Sequence, residues 1–331
     1  MSKAYSNPVF QQDLLRWQKY ATQQAQDASS CLRCHAPVAL LTGDTELKNP
    51  VSREGVTCTV CHKVAQVRER DGQHFLVMDP RQIMYGAGEN KITAGHEIRH
   101  SEALTNSSLC AGCHHDVLQN GMPLENTYHE WRSSAFAEHT QCTDCHMPVV
   151  ADAEAGTAKT THRSHRFPGG HASSELLTGA AKIQLMPVQD KTRLVVKVSN
   201  VKTGHNFPTG GAHPARLVLT VRLTTDKGEV VTTDTRQYEF TYLNKAGLQV
   251  NGREAVASWL DTALKPLETR TEQFELPPRS DALQLNVSLV YELIPASMAA
   301  QLPADMVQQH YRPVVIDEIN LPLSSLLTGE H

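Results

Sequence analysis

From about residue 176 onward, apolar side chains recur at every second position. Leu194, Val196 and Val198 form one run, and Leu217, Leu219, Val221 and Leu223 another, closed by the turn signal Asp226-Lys227-Gly228. Tyr238, Phe240 and Tyr242 continue the pattern, and Leu283, Leu285, Val287, Leu289, Tyr291 and Leu293 give its longest stretch. A period of two is that of a strand with one buried face. Several such runs with turns between them predict an antiparallel β-sandwich over residues 176–331. Residues 297–310 predict a short helix interrupted at Pro303.

Residues 1–175 lack this alternation. Phe10, Leu14, Trp17 and Ala21 recur at helical spacing, and the segment Thr127 to His139, with Trp131, Ala135 and Phe136, suggests a second helix. The remainder is rich in Gly, Ser, Thr and His and has few long apolar runs. The chain therefore reads as α+β: a mostly helical and irregular domain over 1–175, then a β-sandwich domain over 176–331. The first domain has too little apolar volume for an ordinary core, so it should fold around something that supplies the rest, as small metal domains do.

The chain has 331 residues, enough for two domains. Its net charge is −4 with the signs mixed. No basic stripe suggests nucleic acid, and no apolar run approaches a membrane span. The first residues, Met1-Ser-Lys-Ala-Tyr-Ser, carry no apolar signal core.

The cysteines change the picture. All eight fall into four copies of Cys-x-x-Cys-His: Cys31–His35, Cys58–His62, Cys110–His114 and Cys142–His146. This pentapeptide is the attachment site of c-type haem. The two thiols bond the porphyrin, and the histidine reaches the iron from one side. Two four-thiolate zinc sites would use the same cysteines, but zinc leaves the recurring histidine unexplained. A disulfide framework suits much smaller scaffolds, and a redox Cys-x-x-Cys usually occurs once. The expected cofactors are four haem c groups held by Cys31, Cys34, Cys58, Cys61, Cys110, Cys113, Cys142 and Cys145, with His35, His62, His114 and His146 as proximal iron ligands. Covalent haem c is attached outside the bacterial cytoplasm. The expected location is periplasmic or extracellular, with a secretory signal removed or left out of this sequence.

The second axial ligand decides what such a haem does. Histidine on both sides gives a low-potential electron-transfer haem, methionine raises the potential, and an open side admits substrate. Thirteen of the 17 histidines lie in residues 1–175. His162 and His165 precede the loop Phe167-Pro-Gly-Gly170-His171, and His205 lies in Gly204-His-Asn-Phe-Pro-Thr-Gly210. Tight Gly- and Pro-rich loops fix a side chain while the backbone passes close to a flat ring. The favoured distal ligands are His100, His165, His171 and His205, with His96 in reserve. His74, His115, His129, His139 and His213 are weaker candidates, and His310 and His331 read as surface residues. Met78, Met84 and Met122 read as packing or exposed thioethers.

Glu54-Gly-Val-Thr-Cys58-Thr-Val-Cys61-His62, Cys110-Ala-Gly-Cys113-His114, and Glu130-Trp131 ahead of Gln141-Cys142-Thr-Asp-Cys145-His146-Met147-Pro148 resemble a family of exported multihaem cytochromes. That family is related to the small tetrahaem cytochrome that accepts electrons from hydroxylamine oxidoreductase. The Phe167-Pro-Gly-Gly170 and Gly204–Gly210 loops resemble members with a C-terminal β domain. The resemblance implies closely spaced haems in stacked and angled pairs. It implies that His96 or His100 caps an earlier haem and that histidines after the fourth motif cap others. Relatives often carry a histidine ahead of the first motif; this sequence has none before His35.

The expected function is electron transfer between donor and acceptor proteins through mainly bis-His haems. Two alternatives accompany it: an oxidoreductase acting on a small nitrogen or sulfur compound at one open haem, near Tyr128, His129 and Arg132, and a subunit of a haem filament whose partner is the chain itself. No catalytic signature appears in the β half, where Asp234, Glu239 and Glu272 read as a solvated face.

Overall fold

The computed structural model describes residues 1, 3–15, 29–92, 95–118, 121–151, 161–170, 173–187, 192–211, 215–250, 258–278 and 283–327. They form two compact units, Met1–Asp116 and Val117–His331.

The first unit is built from short pieces. Helix α1 covers residues 8–15 and buries Phe10 and Leu14 against Cys31, with Tyr5 and Leu47 alongside. Trp17 and Ala21, expected to extend this stripe, lie outside the described residues. Helices α2 (Ser29–His35) and α3 (Pro37–Thr42) follow, and α3 ends on Gly43 at φ 74°. Gly has no Cβ to clash in this left-handed conformation, which is why it closes helices so often. Helix α4 is Cys58–His62 and α5 is Ser108–His114.

Short strands, not announced by any long alternation, lie between α4 and α5. A hairpin pairs β1 (Val64–Arg70) with β2 (Gln73–Met78). A small sheet pairs β3 (Ile83–Gly86) in parallel with β5 (Glu97–His100), with β4 (Lys91–Ile92) on the other side of β5. Buried apolar residues here come in small groups, such as Leu32, Ala36 and Ala39.

In the second unit a short strand, Pro123–Glu125, leads into helix α6 (Thr127–Arg132). The single helix expected over residues 127–139 is broken: a 3-10 turn, Ala135–Glu138, starts afresh after Ser134, whose hydroxyl accepts the Phe136 N–H. Serine competing for backbone donors in this way favours helix starts over helix interiors. Helix α7 (Cys142–His146) follows, then a hairpin of β6 (Val149–Ala151) and β7 (Thr161–Arg163).

The sandwich occupies the rest. One sheet is β8 (Ala181–Met186), β9 (Arg193–Asn200) and β14 (Thr269–Glu275), in that order. The other is ordered β12 (Gln249–Val250), β11 (Val230–Leu243), β10 (Arg216–Thr224), β15 (Gln284–Glu292), β16 (Val314–Pro322), with β13 (Ser258–Asp261) also paired to β11. All these pairings are antiparallel. The register sets Leu217 opposite Tyr291, Leu219 opposite Leu289, Val221 opposite Val287 and Leu223 opposite Leu285. These residues, with Leu194, Val196 and Val198, are buried, so the period of two becomes one continuous core. The helix expected over 297–310 is two pieces, Ala296–Ala299 and Ala304–His310, and Pro303 caps the second. The fold is α+β with a C-terminal β-rich region.

Candidate haem-attachment sites

Each Cys-x-x-Cys-His lies on one short helix: α2, α4, α5 or α7. Residues i, i+3 and i+4 share a helix face, so two sulfurs and one imidazole point the same way in every motif. Cys58 and Cys145 are exposed; Cys34, Cys61, Cys110, Cys113 and Cys142 are half-buried and Cys31 is buried.

Three of the four motif imidazoles are tethered alike. His35 Nδ1 lies 2.9 Å from the Ala4 carbonyl, His62 Nδ1 2.7 Å from that of Tyr85, and His146 Nδ1 2.9 Å from that of Pro168. A carbonyl only accepts, so Nδ1 carries the proton and Nε2 presents its lone pair. That tautomer is the one an iron ligand needs, and the tether orients the ring and raises its basicity. Phe10 also stacks on His35 with centroids 3.8 Å apart and planes 1° from parallel. Around His62 the Tyr85 strand is anchored by Asp79, which accepts from the Tyr85 hydroxyl at 2.8 Å and from the Arg81 guanidinium. Those bonds, led by Arg81, hold the Asp79 carboxyl well below the usual carboxylate range.

Motifs 1 and 3 adjoin. Cys34 Sγ is 3.8 Å from the Cys113 carbonyl, Arg33 pairs with Asp116 at 2.9 Å, and the Arg33 guanidinium lies over Phe75. Strand β2 packs against α5 so closely that a Cβ on Gly112 would meet Leu76 Cδ2 at 2.5 Å. This packing buries His74 beside His115, edge to face with centroids 5.6 Å apart. Neither stands out in the sequence: His74 lies on a short strand without clear alternation, and His115 merely follows a ligand.

The fourth motif has a histidine across from it. The rings of His146 and His205 have centroids 6.3 Å apart and planes 18° from parallel. A metal–imidazole bond of about 2.0 Å, with roughly 1.2 Å from ring nitrogen to ring centre, taken on both sides of one metal, spans about 6.4 Å. The two ring centres are thus about as far apart as those of two imidazoles on one metal.

The loop that carries His205 is fixed at many points. His205 Nδ1 lies 2.8 Å from the Asn206 carbonyl. Asn200 donates to the carbonyls of His205 and Leu264, and Phe207 and Leu264 exchange both backbone bonds. Phe207 stacks on Tyr291, and Ser134 donates to the Gly204 carbonyl. A Cβ on Gly204 would lie 3.2 Å from Phe136 Cβ and 3.4 Å from Trp131 Cδ1. The glycine is what lets the loop approach this aromatic wall.

Glu130, on α6, supports the same loop. Its carboxylate accepts from the Asn206 N–H at 3.2 Å and the Thr209 hydroxyl at 2.7 Å. Burial nevertheless pushes its pKa up to about 7, and the charges of Glu125 and Asp261 act in the same direction.

The other candidates are more open. His100 is exposed at the end of β5, with Nδ1 3.3 Å from the Gly88 carbonyl, beside a hollow lined by Ala87, Gly88, Glu89 and Asn90. His96 is exposed. His165 is exposed and lies edge-on to Phe167. His171 lies outside the described residues, as do His213 and His331. His129, His139, His162 and His310 are exposed. Met122 is fully buried among Leu124 and Tyr242, and Met78 and Met84 are half-buried.

A family model described as "Cytochrome c554 and c-prime" matches residues 2–63, which hold the first two motifs. The penta-heme cytochrome c552 of Thermochromatium tepidum shares the fold, with a TM-score of 0.68 at 24% identity over 88% of this chain and 83% of that one. A putative ApaA protein of Bordetella pertussis aligns with 43% of this chain and 89% of its own at 14% identity, but its TM-score of 0.20 carries no argument. No curated protein matches the chain. The family match and the shared fold, with the four motifs, support a multihaem c-type cytochrome. Among the described residues no helix is long and apolar enough to cross a membrane.

Proposed function

We propose that this chain is a tetrahaem cytochrome c that relays electrons between a donor and an acceptor protein outside the cytoplasm. The observation that carries the reading is the common presentation of Nε2 by His35, His62 and His146, with the His205 ring 6.3 Å from that of His146. Bound haem supplies a one-electron ferric–ferrous couple. Main-chain carbonyls fix the ring and tautomer of His35, His62 and His146, which are half-buried, and the contact of motifs 1 and 3 brings two sites together. The contact between Cys34 and Cys113 supports a path from site 1 to site 3. His205 is the distal ligand of site 4. His100, His165 and His171, with His96 in reserve, are the candidates for the others.

The haem-bearing half is taken as residues 1–175 and the β half as 176–331, with the β half lending His205 to the fourth site. The T. tepidum relative is described as penta-heme; the four motifs here account for four.

The test is spectroscopic. The pyridine haemochrome of mature protein should give four haem c per chain. His205→Ala should turn one haem in four from low to high spin, and an unchanged spectrum refutes that ligand. A native protein with persistent high-spin signal that binds nitrite, cyanide or carbon monoxide would instead favour catalysis at an open iron. Extended assemblies in electron micrographs would favour the filament.

A further inference from the structure

Four side chains near the His205 loop form an unbroken line of oxygens. Glu125 Oε1 is 2.6 Å from Thr127 Oγ1, which is 2.8 Å from Thr209 Oγ1, which is 2.7 Å from Glu130 Oε2. Each of these three contacts needs one proton between its oxygens. The two hydroxyls supply two. With both carboxylates ionised, one contact would set lone pair against lone pair in a half-buried place, which is costly. The line is complete only when one carboxyl holds a proton.

Glu130 is the better holder. It is the more enclosed end, lining a small cavity with room for about one water together with Asn126, Thr209, Tyr242 and Asp261. Among the described residues, the charges that act on it are those of Glu125 and Asp261, both acidic; the Asp261 carboxylate accepts from Asn206 Nδ2 and the Ala263 N–H and feels the charges of Lys265, Arg270 and Glu268. Burial pushes Glu130 up to about 7, consistent with a proton that exchanges near neutrality.

The line also reaches the proposed ligand. Glu130 accepts from the Asn206 N–H, and the Asn206 carbonyl takes the His205 Nδ1 proton. Charge on Glu130 is thus one residue removed from the imidazole that would face the iron, and second-shell partners of this kind tune a metal site.

We propose that the Glu125–Thr127–Thr209–Glu130 line is a proton-binding site linked to the fourth haem, so that this site takes up one proton with its electron. The proposal rests on His205 as the ligand of site 4. The balance is one electron from the donor protein to the ferric iron and one proton from solvent to the Glu130 carboxylate, leaving ferrous iron and a neutral carboxylic acid. Oxidation by the acceptor returns both.

The test uses the mature holoprotein. Midpoint potentials of the four haems are measured from pH 5 to 9, with infrared difference spectra between oxidised and reduced forms. One haem should lose potential as pH rises through neutrality, with a slope of up to about 59 mV per unit, a tenfold change per unit for one electron. A carboxylic acid band should appear on reduction. Glu130→Gln should flatten that slope and remove the band while the haem stays low-spin. Glu125→Gln, which removes a facing charge and offers the line an N–H donor, should move the pH-dependent window to lower pH and serves if Glu130→Gln does not fold. A slope and band unchanged in both variants, or potentials independent of pH in the native protein, would overturn the proposal. The ligand reading fails separately: His205→Ala that leaves every haem low-spin refutes the ligand, whatever Glu130→Gln does.

Discussion

The two compact units hold their motifs in opposite ways. In Met1–Asp116 three motifs share short helices, a hairpin and small groups of buried residues. In Val117–His331 a single motif faces a loop locked onto a sandwich whose inner rows, such as Leu217–Leu223 and Leu285–Tyr291, are buried throughout. An apolar core assembles the fourth site in advance and brings His205 to His146. The first unit has Nε2 atoms ready but little apolar mass behind them. A protein can thus build a cofactor site either by preparing it on a separate core or by leaving the cofactor to be part of the core.

The sharpest way to break this contrast is to withhold haem. Unmatured protein should lose the first unit to limited proteolysis while the strand signal in circular dichroism and a protected C-terminal fragment persist. Equal loss of both would erase the distinction. Next in size, Leu219→Ala removes a fully buried side chain from the sandwich and should cost about 2–5 kcal/mol in denaturant unfolding of the second unit.

The third effect follows pH. The folded pKa of Glu130 lies above that of an unfolded glutamate, so the folded state binds the extra proton and this group's contribution to stability is greatest below about pH 4.5. It should fall as pH rises towards 7 and beyond, by on the order of 3 kcal/mol at most. The difference in denaturation midpoint of the second unit between the native chain and Glu130→Gln should follow this decline across pH 4–8. The first unit, which lacks this group, should not follow the same curve.

Gly204→Ala comes next. Its new Cβ would press on Phe136 and Trp131, costing roughly 1–3 kcal/mol as overpacking does, with part of one haem turning high-spin. Smallest is Arg33→Ala in the first unit. Its pair with Asp116 is partly exposed, and such pairs are worth about 0–1 kcal/mol.

Much of this was legible in the chain. The four motifs named their chemistry, and the alternation at Leu217–Leu223 and Leu283–Leu293 named both the strands and their buried face. His205 was legible as a candidate because its loop is so dense in Gly and Pro. Its partner was not, since that depends on how the loop after β9 meets α7. His74 and His115 ranked only among the weaker candidates, because β2 buries them through one close approach, Leu76 on Gly112. Composition marks a change near residue 175, whereas packing divides the chain after Asp116. The segment from residue 117 to 175 resembles the haem half in composition, yet its Met122 and Leu124 pack against Tyr242 of β11, which composition does not register.

The carbonyls of Ala4, Tyr85 and Pro168 that hold His35, His62 and His146 belong to the main chain. No single side-chain replacement deletes them. The electron-donating strength of these imidazoles is therefore written in loop path rather than in residue identity, and retuning it would take insertions or deletions that shift a carbonyl by a few tenths of an ångström.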